Sequence, residues 1–373
     1  MAQGQAGGLT CIEAQAAFGS PIPRQALPGR GAADNVGSMG RWGLLLLCLL
    51  GLAACGARGD GAPFTDSHPP PGLSPADWAP TGWTWGLIQP SKAAAAQRYG
   101  VAAAATAPRA QVLLLSGYGD FAETHYRQLG RFVGQYYVSW ALDGAGQGGS
   151  GRKIAIRDLG HVDSFDDDVA AIHGLTTQTV HPQPGLPLVL VAEGTAAPAA
   201  LRAAREGLPG VSALILVRPT LKPPIEADPR LVEWAPRLWL GSIRAPGGGG
   251  WRRSDAAQDL HTDDGRKMAW QQANPDLRMG GPSLGWLSAF GDLTHTATAP
   301  GLDRVQTPVL VLSAKGAGDA DWSPVCRALP RCTLAATGLD PTAQEIAFVE
   351  TFVPKGAPAP HPLSALSNDD PQR

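Results

Sequence analysis

The side chains able to do chemistry are scattered along this 373-residue chain. There is no His-Glu-x-x-His run and no Cys/His cluster at ligand spacing, so no metal is expected. No cofactor is expected either. Asp166-Asp167-Asp168 reads as a solvated helix N-terminus, favourable against the helix dipole, rather than as a metal site. His161, His173 and His181 fall in or beside that same helix, in structural or surface roles; His361 lies in a Pro-rich tail and reads as solvated. Cys326 and Cys332 read equally well as a disulfide formed in an oxidising compartment or as two unpaired small core residues.

These residues need elements to position them. Hydrophobic residues make up 44% of the chain, enough for a sizeable core in one large domain with insertions or in two domains. The formal net charge of −2 comes without a long basic run, which argues against nucleic acid as a partner. Continuous apolar runs read as buried strands at Gln111–Leu115, Tyr137–Leu142, Pro187–Ala192, Ala213–Val217, Pro308–Ser313 and Cys332–Ala336. Helical patterns separate them at Phe121–Val133, Phe165–Thr177 and Thr195–Glu206, with Ala343–Phe352 closing the domain. Such alternation predicts an α/β fold, a mostly parallel sheet with helices on both faces. The core is expected over 81–218 and 301–354. Residues 219–300 break the alternation with Trp234, Trp239, Trp270 and Trp286 in helical stretches, and read as a cap insertion over the sheet's C-terminal edge, where open α/β sheets bind ligands.

The ends differ from the core. Residues 1–38 show no period and are expected to be an over-extended gene start, with Met39 the true one. Residues 39–54 then carry a basic start and an apolar run, Leu44 to Ala54. The run is short of the roughly 20 apolar residues that span a bilayer and has the length of a signal-peptide core. Its ending, Leu52-Ala53-Ala54-Cys55, resembles the lipobox of bacterial lipoproteins. That resemblance implies lipid attachment at Cys55 and a place in the bacterial cell envelope, periplasm-facing and anchored to the membrane. Residues 55–80 read as a tether and 355–373 as a disordered tail.

The internal segments together resemble the serine aminopeptidase-like branch of the α/β-hydrolases, the branch of monoacylglycerol lipases and bacterial lysophospholipases. The resemblance rests on Val112-Leu113-Leu114-Leu115-Ser116-Gly117-Tyr118-Gly119 as strand and oxyanion loop, and on Asp143-Gly144-Ala145-Gly146-Gln147-Gly148-Gly149-Ser150-Gly151. Gly160-His161-Val162-Asp163-Ser164-Phe165-Asp166-Asp167 and Asn274-Pro275-Asp276-Leu277-Arg278-Met279-Gly280-Gly281-Pro282 add to it, in the family's order. It implies an α/β-hydrolase fold and cleavage of carboxylic esters by a serine–histidine–acid triad.

At the catalytic positions the sequence departs from the family. The family's Gly-x-Ser-x-Gly elbow needs small residues two before and two after the nucleophile. Ala192 and Ala196 meet that demand only around Gly194, so the nucleophile position holds glycine. Thr195 as nucleophile would put Glu193 where a small residue belongs. The loop after the last strand, Thr337 to Gln344, holds no histidine. For the acid, Asp319 or Asp321 is the candidate, though a loop role suits both. Backbone amides of Tyr118 and Thr195 remain as an oxyanion-like pair. The resemblance therefore implies a degenerate, non-catalytic hydrolase binding a lipid or acyl ligand under the cap, or a protein partner. The alternative is an active carboxylic-ester hydrolase or lysophospholipase with displaced catalytic residues.

Overall fold

The computed structural model describes residues 61–254 and 259–357. The proposed leader and Cys55 lie outside the described residues, as do His361 and nearly all of the C-terminal tail.

Eight strands form one sheet: β1 (Thr84–Ile88), β2 (Gln97–Ala102), β3 (Ala110–Leu115), β4 (Tyr137–Leu142), β5 (Leu188–Glu193), β6 (Val211–Val217), β7 (Val309–Ser313) and β8 (Cys332–Ala336). Their order is β1-β2-β4-β3-β5-β6-β7-β8. From β4 onward across the sheet all pairs are parallel; β1 and β2 join antiparallel at one edge. The six apolar strands are those expected from the sequence. β1 and β2 were not expected: β1 is a five-residue strand with Thr84 and Leu87 exposed, and β2 carries polar Gln97 and Arg98, so neither shows a continuous apolar run.

The continuous runs have a plain cause. Successive strand residues point to opposite faces, and both faces here are covered. Val112, Leu114, Val189, Val191 and Ile215 pack on one side with α1 (Tyr126–Gly134) and α8 (Pro341–Glu350). Leu113, Leu115, Leu190, Ala192 and Leu216 pack on the other with α2 (Asp166–Gly174) and α3 (Ala197–Glu206). Each fully buried Leu or Val contributes about 1.5–3 kcal/mol, so both faces are predominantly apolar, with Gln111, Ser139, Glu193 and Ser313 as buried exceptions.

Residues 219–300 contain α4 (Pro229–Arg237), α5 (Asp263–Ala273) and α6 (Leu284–Thr298), and no strand among the described residues. Asp228, Thr262 and Ser283 cap the three helices by accepting from first-turn amides. Trp270 and Trp286 are buried, whereas Trp234 and Trp239 are exposed. α7 (Trp322–Ala328) links β7 to β8.

Part of the stretch expected as a tether is instead laid on the body. Leu73 is buried and Asp77 is ion-paired to Arg127 and Arg266. Phe64 lies under the Arg98 and Arg157 guanidiniums, and the His68 backbone exchanges two hydrogen bonds with the Asn274 amide. The Pro/Gly-rich composition hid three side chains, Phe64, Leu73 and Asp77, and one backbone contact at His68.

Candidate functional site

The strand β5 ends in Glu193, one residue later than expected, and the chain turns sharply at Gly194 into α3. Gly194 has φ +51°, in the left-handed region, and nothing lies where its Cβ would be. The turn has the shape that would present a side chain into open space, and the residue there carries none.

Thr195 follows, and its Oγ1 accepts a hydrogen bond from the Tyr118 amide at 2.6 Å. Tyr118 and Thr195 are the residues expected to offer an amide pair to an oxyanion. One of those two amides is therefore already taken by a neighbouring hydroxyl. The loop carrying Tyr118 is pinned by Gln147, which accepts from the Gly119 amide at 3.0 Å and donates to the Gly117 carbonyl at 3.1 Å.

The acid candidates separate. Asp319 accepts from the Ser313 hydroxyl and from the Asp321 and Trp322 amides, the latter two at 3.0 Å each. Burial pushes its carboxyl up, but these hydrogen bonds outweigh it and hold the group below the usual carboxylate range. Asp321 is half-exposed and sits 3.7 Å from Lys222. In the loop after β8, Asp340 caps α8 through the Ala343 amide and grips Arg131 with both oxygens. No imidazole stands in that loop.

The histidines elsewhere serve other ends. His173 faces Glu206 at 3.6 Å, and His181 is exposed. His161 is buried between Ser283, 2.8 Å from Nδ1, and Asp163, 3.3 Å from Nε2. This serine–imidazole–carboxylate chain has the bonding order of a catalytic relay. Ser283 is wholly inaccessible, however, and its oxygen also accepts the Trp286 amide at 3.0 Å as the cap of α6. The relay fastens the cap to the core.

The Asp run does not lie uniformly in water. Asp166 is exposed and paired with Arg202 at 2.6 Å, Asp167 is half-buried, and Asp168 is buried. Three identical residues on a helix point about 100° apart, so one faces inward, which composition does not reveal. Burial, first, raises the Asp168 carboxyl to about 7. It lines a cavity of about 30 Å³ beside Thr195 and Ala196. The ends of β3 and β4 and cap residue Trp286 also line it, which puts the cap over the sheet's C-terminal edge. Trp286 stacks on Phe290, and Tyr118 and Phe165 meet it edge-on.

Two further groups escaped the sequence reading. Arg98 is fully buried and clamps Glu123 (2.7–2.8 Å) and Asp143 (2.6–2.8 Å), holding the Asp143–Gly151 loop to the sheet edge. Gly149 is obligatory there, because a Cβ would stand 2.1 Å from the Arg98 guanidinium. On the other side of the elbow, Gln128 donates to both Glu193 (3.3 Å) and Glu345 (2.8 Å). Burial pushes both carboxyls up to about 7. Cys326 and Cys332 are joined, with an S–S distance of 1.99 Å.

The family described as serine aminopeptidase, S33, matches residues 106–322. Lysophospholipase L2 of Escherichia coli strain K12 is 30% identical over 187 residues, covering 47% of this chain and 54% of that protein. The chain thus spans about half the length of the curated relatives it matches. A carboxyl esterase from Bacillus coagulans, solved with glycerol, superposes with a TM-score of 0.55 at 14% identity, covering 73% of this chain and 99% of the other. A monoglyceride lipase from Saccharomyces cerevisiae superposes with a TM-score of 0.50 at 15% identity, covering 76% and 99%. These two share the fold. With its parallel sheet, its elbow at Gly194 and its helical cap, the chain belongs to the serine aminopeptidase S33 family of α/β-hydrolases.

Proposed function

We propose that this chain is a non-catalytic member of the family, a hydrolase scaffold that binds a ligand under its cap without cleaving it. One observation carries the reading: Gly194 occupies the left-handed elbow where an attacking oxygen would stand. Removing the serine of a comparable hydrolase costs about 10⁶ in turnover. Loss of one oxyanion donor costs about 10²–10³, and the Tyr118 amide is engaged by Thr195. No histidine in the loop after β8 is available to take a proton. A small lipid or acyl compound would be in keeping with the lysophospholipase-like branch, and a protein partner is the other candidate.

The lipobox at Leu52–Cys55 supports tethering to a bacterial envelope membrane through a lipidated Cys55, where more than one acyl chain gives stable anchoring. Intact-mass analysis of the mature N-terminus tests this, and an unmodified Cys55 contradicts it.

A second reading, a working ester hydrolase with displaced residues, draws on the Ser283–His161–Asp163 chain. The complete burial of Ser283 speaks against it. A serine-directed fluorophosphonate probe separates the two readings. The non-catalytic protein stays unlabelled; labelling that Ser283→Ala abolishes would establish the second.

A further inference from the structure

The cavity beside the elbow is chemically one-sided. Leu115, Leu142, Ile172 and the rings of Tyr118, Phe165 and Trp286 give it apolar and aromatic walls. Among the described residues no lysine, arginine or histidine lines it, and Asp168 is the one charged group that does. One oxygen of Asp168 accepts the Ala145 amide at 2.9 Å. The other is enclosed and has no hydrogen-bond partner, and neither has the Ser116 hydroxyl, which lines the same space. Lys153, the cation closest in influence, is engaged by Asp163 and Asp167 at 3.3 and 3.1 Å.

A buried carboxyl with an idle acceptor oxygen is costly unless something donates to it. An anion entering here would meet a carboxyl and no counter-charge. A cation would gain a charge-assisted hydrogen bond and aromatic surroundings that favour an ammonium group. The geometry points to a small organic ammonium ion as the ligand of this cavity, its N–H groups donating to Asp168 and Ser116 and its short apolar tail lying among the aromatic rings. The inference rests on the non-catalytic reading, since it treats the space as a binding site rather than as room for an acyl group in transit. The size of the cavity limits the ligand to a few heavy atoms.

The test is calorimetric titration of the full chain with three probes of one size: n-propylamine, 1-propanol and propionate. Saturable binding of the amine is expected, at least tenfold tighter than the alcohol, with no binding of propionate. Asp168→Asn, which keeps the shape, is expected to weaken amine binding at least tenfold. Ala199→Leu, which fills the cavity from α3, should abolish it and serves if the first variant does not fold. Propionate or propanol binding as tightly as the amine, no amine binding, or amine binding unchanged in Asp168→Asn overturns the inference. Ester turnover is measured separately. An esterase that binds propylamine overturns the non-catalytic reading alone, and an inactive protein that ignores propylamine overturns this inference alone.

Discussion

At the residue scale the site turns on what Gly194 lacks and what Thr195 has taken. An L residue at the Gly194 backbone angle is expected to cost about 1–2 kcal/mol, while the open space around it admits a hydroxymethyl group without a clash. Gly194→Ser should therefore fold with its unfolding free energy lower by that amount, read from urea denaturation, and remain inactive, since an unassisted hydroxyl is a weak nucleophile. A serine variant as stable as wild type would show that the elbow is not strained. The glycine was legible from the small residues around it. The Thr195 hydroxyl on the Tyr118 amide was not, because no spacing rule reports the rotamer of one threonine.

Three buried carboxyls give a second residue-scale prediction. Asp168, Glu193 and Glu345 are each raised to about 7, chiefly by burial. A group that holds its proton more tightly folded than unfolded contributes stability at low pH and loses it as pH rises through its folded value. His161, lowered by burial, pulls the other way as pH falls below the ordinary imidazole range. Three groups outweigh one, so the melting temperature should be higher at pH 6 than at pH 8.5. An equal or lower value at pH 6 would mean that these carboxyls are charged in the folded protein.

At the element scale, parallel strands and their helices were readable because each buried strand is apolar on both faces. What the sequence hid were elements held by polar contacts. β2 contributes Arg98, whose guanidinium joins Glu123 before α1 to Asp143 after β4 and lies 4.0 Å from the Trp85 ring of β1. A strand built around an ion cluster leaves no apolar run to detect. Arg98→Ala strands two buried carboxylates and is expected to destabilise by about 3–5 kcal/mol, read as a fall in the denaturant midpoint. A loss below 1 kcal/mol would mean that the cluster does not hold the edge. Residues 61–80 escaped for the same reason, since Asp77 and Phe64 are anchored by arginines far along the chain.

At the scale of the whole molecule, the proposed non-catalytic reading separates scaffold from chemistry. The sheet, the cap over its C-terminal edge and the Ser116–Gly119 loop are in place, while Gly194 carries no side chain at the elbow and the loop after β8 holds no histidine. The cap is docked by Ser283 and His161 over the cavity beside the elbow. The most direct measurement is turnover of p-nitrophenyl butyrate and a lysophospholipid by the purified wild-type chain. No rate above the buffer background is expected for either ester. A rate typical of family enzymes, abolished by Thr195→Val or Ser283→Ala, would contradict it.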